Sequence, residues 1–219
     1  MGQEIDLLVN YPRTKRNVEE RGAEKTEEDR AIARQFGKDF FDGDRKVGYG
    51  GFKYMSRFWQ PVIPTFQGHW GLTKDSAVLD VGCAKGFMIH DMAELIPGIT
   101  VKGVDVSEYA VANAIDDMKS HVQVADAQKL PFADKSFDVT ISVNTIHNLE
   151  RDACGKALQE IQRVSRKGSF ITVDAYHDEA EKNRMMAWNL TAKTIMHVDE
   201  WKAFFAEVGY TGDYYWFIP

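Results

Sequence analysis

The run Val78-Leu79-Asp80-Val81-Gly82-Cys83-Ala84-Lys85-Gly86-Phe87 constrains this chain more than any other stretch, because an apolar strand-like segment passes directly into a turn of small residues. An amphipathic helix follows, with Met88, Met92, Leu95 and Ile96 on its apolar face and a stop at Pro97-Gly98. The next apolar run closes on Asp105, nineteen positions beyond Gly86. Strand, tight turn, helix and a second strand ending in an acid fit one geometry. It is a parallel pair joined by a right-handed crossover, with a ligand beyond the strands' C-terminal ends and a carboxylate placed for a ribose. The ligand this implies is a nucleoside.

The spacing of the small residues narrows the choice. A dinucleotide fingerprint needs glycine at the third position of G-x-G-x-x-G, so that backbone and helix N-terminus approach a pyrophosphate. Phe87 stands there instead. The pattern present, D-x-G-x-A-x-G over Asp80 to Gly86, resembles the first motif of class I S-adenosylmethionine (SAM) dependent methyltransferases, with Ala84 where that family often has glycine.

The resemblance continues along the chain. Val101-Lys102-Gly103-Val104-Asp105-Val106-Ser107 is similar to the family's second strand, His121-Val122-Gln123-Val124-Ala125-Asp126-Ala127 to its third, and Val139-Thr140-Ile141-Ser142-Val143-Asn144 to its fourth. The resemblance implies SAM as cofactor. Gly82, Cys83, Ala84 and Gly86 would form the turn around it, and Asp80 would hold the ammonium group. Asp105, beside Val106, would accept both ribose hydroxyls. Asp126 would accept from the adenine amine while Ala127 offers its backbone amide, and Asn144 would end the strand that lies beside the methyl group. An ionised carboxylate only accepts hydrogen bonds, which suits a diol. No metal is required.

Composition agrees with such an enzyme. The chain has 219 residues, 44% of them hydrophobic, enough for one core with an appendage. A net charge of -6 gives no electrostatic footprint for polyanions and favours a small-molecule acceptor over nucleic acid. Cys83 and Cys154 have no partner pattern, which argues against a disulfide framework and against a zinc site and points to a reducing cytoplasm. There is no apolar run long enough for a membrane span, and Met1-Gly2-Gln3-Glu4-Ile5-Asp6 lacks a secretory core.

The expected architecture is an α/β, Rossmann-like, doubly wound and mostly parallel sheet with helices on both faces, covering residues 73–219, behind an N-terminal helical cap and lid at residues 1–72. Within the cap, residues 13–46 carry ten basic and nine acidic side chains. Thr26 and Asp29 read as a helix cap, and Ile32, Phe36 and Phe40 predict one helix over about residues 26–41. A turn at Gly48-Tyr49-Gly50-Gly51 precedes an aromatic segment, Phe52 to Trp70, helical in part and interrupted at Pro61 and Pro64. Cys154, Ala157, Leu158 and Ile161 predict a helix capped by Asp152. Phe170 to Val173 predict a fifth strand ending at Asp174, and Val198, Trp201, Phe205 and Val208 a helix stopped by Gly209. Methyltransferases of this class finish with two antiparallel-paired strands, but only Thr211 to Ile218 remains here. Either the sheet has six strands, or the segment around Thr191 to Met196 supplies another. An edge completed by a second copy, a homodimer, stays open.

Methyl transfer from a sulfonium asks mainly for alignment, which supplies about 7–11 kcal/mol of the barrier. If the acceptor oxygen or nitrogen carries a proton, a base must take it. His147, just past the fourth strand, is either that base, a substrate ligand or a cap for the next helix. Tyr49 would act as a lid with its ring over the sulfonium. Weaker candidates are His177, read as an exposed loop residue; Arg57, and Arg13 and Arg16 near Tyr11, as carboxylate partners; and Trp188, Asn189, Trp201, Tyr214, Tyr215 and Trp216 as either an acceptor wall or core. Two other readings keep the nucleoside pocket: a catalytically idle SAM-binding subunit, and an aminopropyl transferase. The second calls for paired acids after the fourth strand, where Ser142-Val143-Asn144 stands.

Overall fold

Every strand of the sheet runs parallel to its neighbour, and that arrangement fixes one edge of the molecule as the place for a ligand. The structure, a computed structural model, describes residues 2–13 and 25–219. In chain order the elements are α1 (Glu27–Ala33), α2 (Lys38–Asp42), α3 (Ile63–Trp70), β1 (Ala77–Val81), α4 (Phe87–Leu95), β2 (Thr100–Asp105), α5 (Glu108–Ala112), β3 (Val122–Val124), β4 (Phe137–Val143), α6 (Arg151–Val164), β5 (Ser165–Tyr176), α7 (Glu179–Trp188), β6 (Met196–His197), α8 (Val198–Val208) and β7 (Asp213–Phe217). The strand order is β3-β2-β1-β4-β5. β4 and β7 both pair with Phe170 to Thr172 of β5, so they occupy its two opposite edges.

Alternation along each strand builds two cores. Leu79, Val81, Ile171 and Val173 face α6 and α8 with Cys154, Leu158, Trp201 and Phe205. Their neighbours Val78, Val101, Val139 and Phe170 face α3 and α4 with Phe66, Ile89 and Met92. Burial on both faces is what near-continuous apolar strands require. Leu7, Val62, Ile63 and Phe66, all before residue 73, share the second cluster, so the cap is packed into the core rather than tethered to it.

The C-terminal edge departs from the paired antiparallel strands of the resemblance. β7 runs parallel to β5, and Met196–His197, at the end of the segment singled out in the sequence, adds a two-residue strand beside Ala175 and Tyr176. The outer side of β7 is covered by the chain's own start. Ile5 donates its amide to the Tyr214 carbonyl, and the Tyr214 amide donates to the Gln3 carbonyl, each at 3.0 Å. The exposed ladder is blunted without a second chain.

Several local expectations need correction. The helix read over residues 26–41 is two: the Thr26–Asp29 capping box starts α1, but the chain turns at Phe36, whose φ is +50°, and restarts after Gly37. The Ser107 hydroxyl donates to the Phe36 carbonyl, which takes that group out of a helical ladder. Ala33 and Phe41, not Ile32, Phe36 and Phe40, are the buried apolar residues. Pro64 lies in the first turn of α3, where its missing N–H costs nothing, so it does not interrupt the helix. α6 is capped at Glu150, leaving Asp152 in its first turn, where an acid suits the helix dipole. Leu95 is 44% exposed, while Ile89 and Ile96 are buried. β5 runs on both sides of the predicted Phe170–Val173.

Candidate functional site

The turn after β1 has little freedom. Gly82, at φ +86°, and Cys83 donate their amides to the Val104 carbonyl at 2.8 and 3.0 Å, tying the turn to β2. A Cβ on Gly82 would lie 2.1 Å from Thr145 Oγ1, so glycine is demanded by space as well as by backbone angle. Ala84 takes φ +50°, a region that costs an L-residue about 1–2 kcal/mol. Its amide donates to Asp105 Oδ2 at 2.8 Å. The Cys83 side chain is buried and burial pushes its thiol up, so it packs as a small apolar group. Gly86, at φ +80°, precedes α4 without a side-chain cap.

Register brings the acids to this turn. Asp80 lies opposite Gly103, and Asp105 ends β2 opposite Val124 of β3. Asp80 is buried, and among the described residues it has no hydrogen-bond or ion-pair partner. Burial, then the neighbouring Asp105, pushes its carboxyl well above the ordinary range. Burial also raises Asp105, against the opposing pull of the Ser107 and Ala84 amides, and the Ser107 amide reaches Oδ1 at 2.8 Å. Two carboxylates in a poorly solvated pair of strand ends are a site short of positive charge. A cationic ligand would supply it, and Asp105 keeps lone pairs that would suit a diol.

The other expected cofactor residues lie along the same sheet edge. Asp126 follows β3, exposed, with Oδ1 accepting the Gln128 amide at 2.9 Å and the Gln128 side chain bridging both oxygens; Ala127 beside it is half-buried. Val106 is 59% exposed next to Asp105. Asn144, at φ +51°, donates its amide to the Thr172 carbonyl and accepts from the Thr172 hydroxyl at 2.8 Å, bracing the ends of β4 and β5.

His147 is a different residue from the free base considered above. It is buried, and its Nδ1 accepts the Asp174 amide at 2.9 Å while Asp174 Oδ1 lies 3.6 Å away. Its carbonyl accepts the Lys193 and Thr194 amides. Burial lowers its pKa, partly offset by Asp174, so the ring stays neutral with its one lone pair already engaged. That geometry fastens β4 to β5 and the loop after α7; it leaves no site for an abstracted proton.

The remaining candidates scatter. Tyr49 packs against Phe40, Phe41 and Phe52, and Phe52 stacks on Phe87 at the start of α4, so the lid segment does lie against the turn. His177 is exposed and pairs with Glu181. Arg57 lies over the Phe58 ring, Arg13 pairs with Asp6, and Arg16 falls outside the described residues. Trp201, Tyr214 and Trp216 belong to one core cluster and Tyr215 packs against the other; Trp188 sits against Phe217, and Asn189 closes the loop to Ala192. They form no common wall.

The sequence reading missed Lys85. It is buried inside the turn, and its ammonium donates to Asp42 Oδ2 at 2.6 Å and to the Phe52 carbonyl at 3.0 Å. Asp42 also accepts the Tyr109 hydroxyl at 2.7 Å and the Phe52 amide at 3.0 Å. Burial opposes the Asp42 charge, but these donors hold its carboxyl below the ordinary range. The network latches the cap to the turn. The one available signal was a lysine among glycines.

A family model described as a methyltransferase domain matches residues 72–209. An uncharacterized protein of Haemophilus influenzae is 35% identical over 153 residues, 64% of this chain and 60% of that one. The tRNA (carboxymethyluridine(34)-5-O)-methyltransferase of Arabidopsis thaliana is 29% identical over 163 residues, 68% of this chain and 39% of that one. The chain thus spans less than two thirds of the length of these relatives. The solved structure of the [4+2]-cyclase SpnF superposes with a TM-score of 0.56 at 21% identity, over 78% of this chain and 61% of that one, a likeness of fold. Among the described residues no helix is long and apolar enough to cross a membrane.

Proposed function

Because this chain belongs to the class I SAM-dependent methyltransferases, with SAM as cofactor, we propose that it transfers the methyl group to an oxygen or nitrogen of a small-molecule acceptor. The observation that carries this reading is the pair of buried carboxylates, Asp80 and Asp105, on adjacent strand ends around a backbone-constrained glycine turn. When bound, SAM supplies an electrophilic methyl carbon. Asp80 would neutralise its ammonium, Asp105 would fix the ribose, and Asp126 with the Ala127 amide would set the adenine plane. Val106 offers its exposed side chain to the adenosine, and the Asn144 end of β4 would face the reacting carbon. Tyr49 and Phe52, latched through Asp42 and Lys85, would exclude water.

With His147 occupied structurally, the acceptor reads best as a group that needs no strong base, such as a carboxylate or an acidic hydroxyl oxygen. The Arabidopsis relative's name places a methyl on oxygen, which supports an oxygen acceptor; the net charge of -6 favours a small molecule over RNA. Release of S-adenosylhomocysteine with a panel of small carboxylic acids, phenols and amines tests the reading. Release of methylthioadenosine instead, or no release with any acceptor despite tight cofactor binding, would favour aminopropyl transfer or an idle subunit. His147→Ala should keep turnover within a few-fold of wild type while lowering thermal stability; a loss of about 10²–10⁴-fold would restore the base role.

A further inference from the structure

We propose that His90, Asp91 and Glu94 of α4 bind a divalent first-row transition-metal ion, zinc being the best match, which staples the N-terminal segment at Tyr54–Gln60 to the helix. The three residues fall on one helical face, at spacings of one, three and four positions. One ligand-type atom from each lies within 4.8 Å of the other two.

The surroundings are arranged as supports for ligands. His90 donates from Nδ1 to Asp117 Oδ2 at 2.6 Å, which leaves the lone pair on Nε2, the nitrogen 3.8 Å from Glu94 Oε2. A carboxylate behind a histidine is the usual device for presenting the opposite ring nitrogen to a metal. Asp91 is fully buried, and the Tyr54 hydroxyl donates to its Oδ1 at 2.5 Å. Its Oδ2 is also buried and, among the described residues, meets no hydrogen-bond donor at bonding geometry. Native structures rarely leave such an atom bare unless an ion or water serves it. Among the described residues no lysine or arginine pairs with Asp91, Glu94 or Asp117, so three carboxylates surround one imidazole.

Tetrahedral zinc needs its ligand atoms about 3.4 Å apart, a contraction the exposed Glu94 side chain can make, since among the described residues it is held only by the Gln60 amide at 3.4 Å and by His90. One nitrogen and two oxygens suit zinc better than magnesium or calcium, which ask for oxygen alone. The ion would act on the cap. Tyr54 packs edge-on against His90 at 4.8 Å and against Phe87 at 5.7 Å, and Gln60 reaches both Tyr54 and Glu94.

The assignment is independent of the methyl acceptor and is tested without it. Chelator-treated protein titrated with zinc by calorimetry should take up one ion per chain, with a zinc-dependent rise in Tm. Glu94→Gln, at an exposed position, and His90→Ala should each weaken binding at least tenfold and abolish the rise in Tm. Absence of saturable one-to-one binding would overturn the site. So would undiminished affinity in Glu94→Gln, which would place the ion elsewhere, for instance at Cys83 or Cys154, or magnesium binding as tightly as zinc.

Discussion

Asp80 and Asp138 sit near opposite ends of the neighbouring strands β1 and β4, both almost fully buried, and their surroundings could hardly differ more. Asp138 is met by a bidentate Arg166 at 2.9 Å, by Lys167 at 3.1 Å and by the Ala77 amide at 2.8 Å. Arg166, against the cost of burial, holds its carboxyl far below the usual range. Asp80 has no such partner and is pushed the other way. At one end of the sheet the chain completes its own electrostatics and gains stability. At the other it leaves a buried acid pair whose carboxyls are pushed up and meet no cation among the described residues, the pair proposed above to hold the cofactor.

That contrast can be broken at several points. Gly82→Ala should cost about 2–5 kcal/mol of stability, from left-handed strain and the clash with Thr145, and a chemical melt within 1 kcal/mol of wild type would contradict the crowding described. Asp138→Asn should cost about 1.5–3 kcal/mol through its charged hydrogen bonds while leaving SAM affinity unchanged. If cofactor affinity fell in parallel with stability, the two ends of the sheet would not be separable.

pH separates them by sign. The Asp138 carboxyl is depressed on folding, so its contribution is present above the unfolded carboxylate pKa of about 3.9 and is lost as pH falls toward its folded value. Asp80 and Asp105 are raised on folding, so their burial weakens the ligand-free protein above their folded pKa values, and that penalty fades as pH drops toward 3.9. The buried, neutral His147 has the opposite linkage and costs stability as pH falls below about 6.5, so in a His147→Ala background ligand-free stability should hold or rise on mild acidification and collapse only below about pH 4, while SAM affinity declines throughout. A stability loss that begins at neutral pH would remove the distinction.

What could be read from the residues alone follows the same division. The glycine turn and the acids at strand ends depend on local sequence order, and the parallel register carried Asp80 and Asp105 to one edge as their spacing implied. The break between α1 and α2 was hidden because it depends on Ser107, 71 positions from Phe36. His147 misled for a related reason: its neighbours in sequence suggested a free loop base, whereas Asp174, 27 positions on, occupies its lone pair. The chain start closing the β7 edge and the Lys85–Asp42 latch are likewise long-range pairings that no periodicity announces.

The central claim, that the buried acid pair is the cofactor's grip, is tested most directly by calorimetric titration of SAM into wild type and Asp105→Ala. One site per chain, with affinity weakened by about 1.5–3 kcal/mol in a variant that stays folded at the titration temperature, is the result expected. Equal affinity in both proteins, or no binding to either, would contradict it.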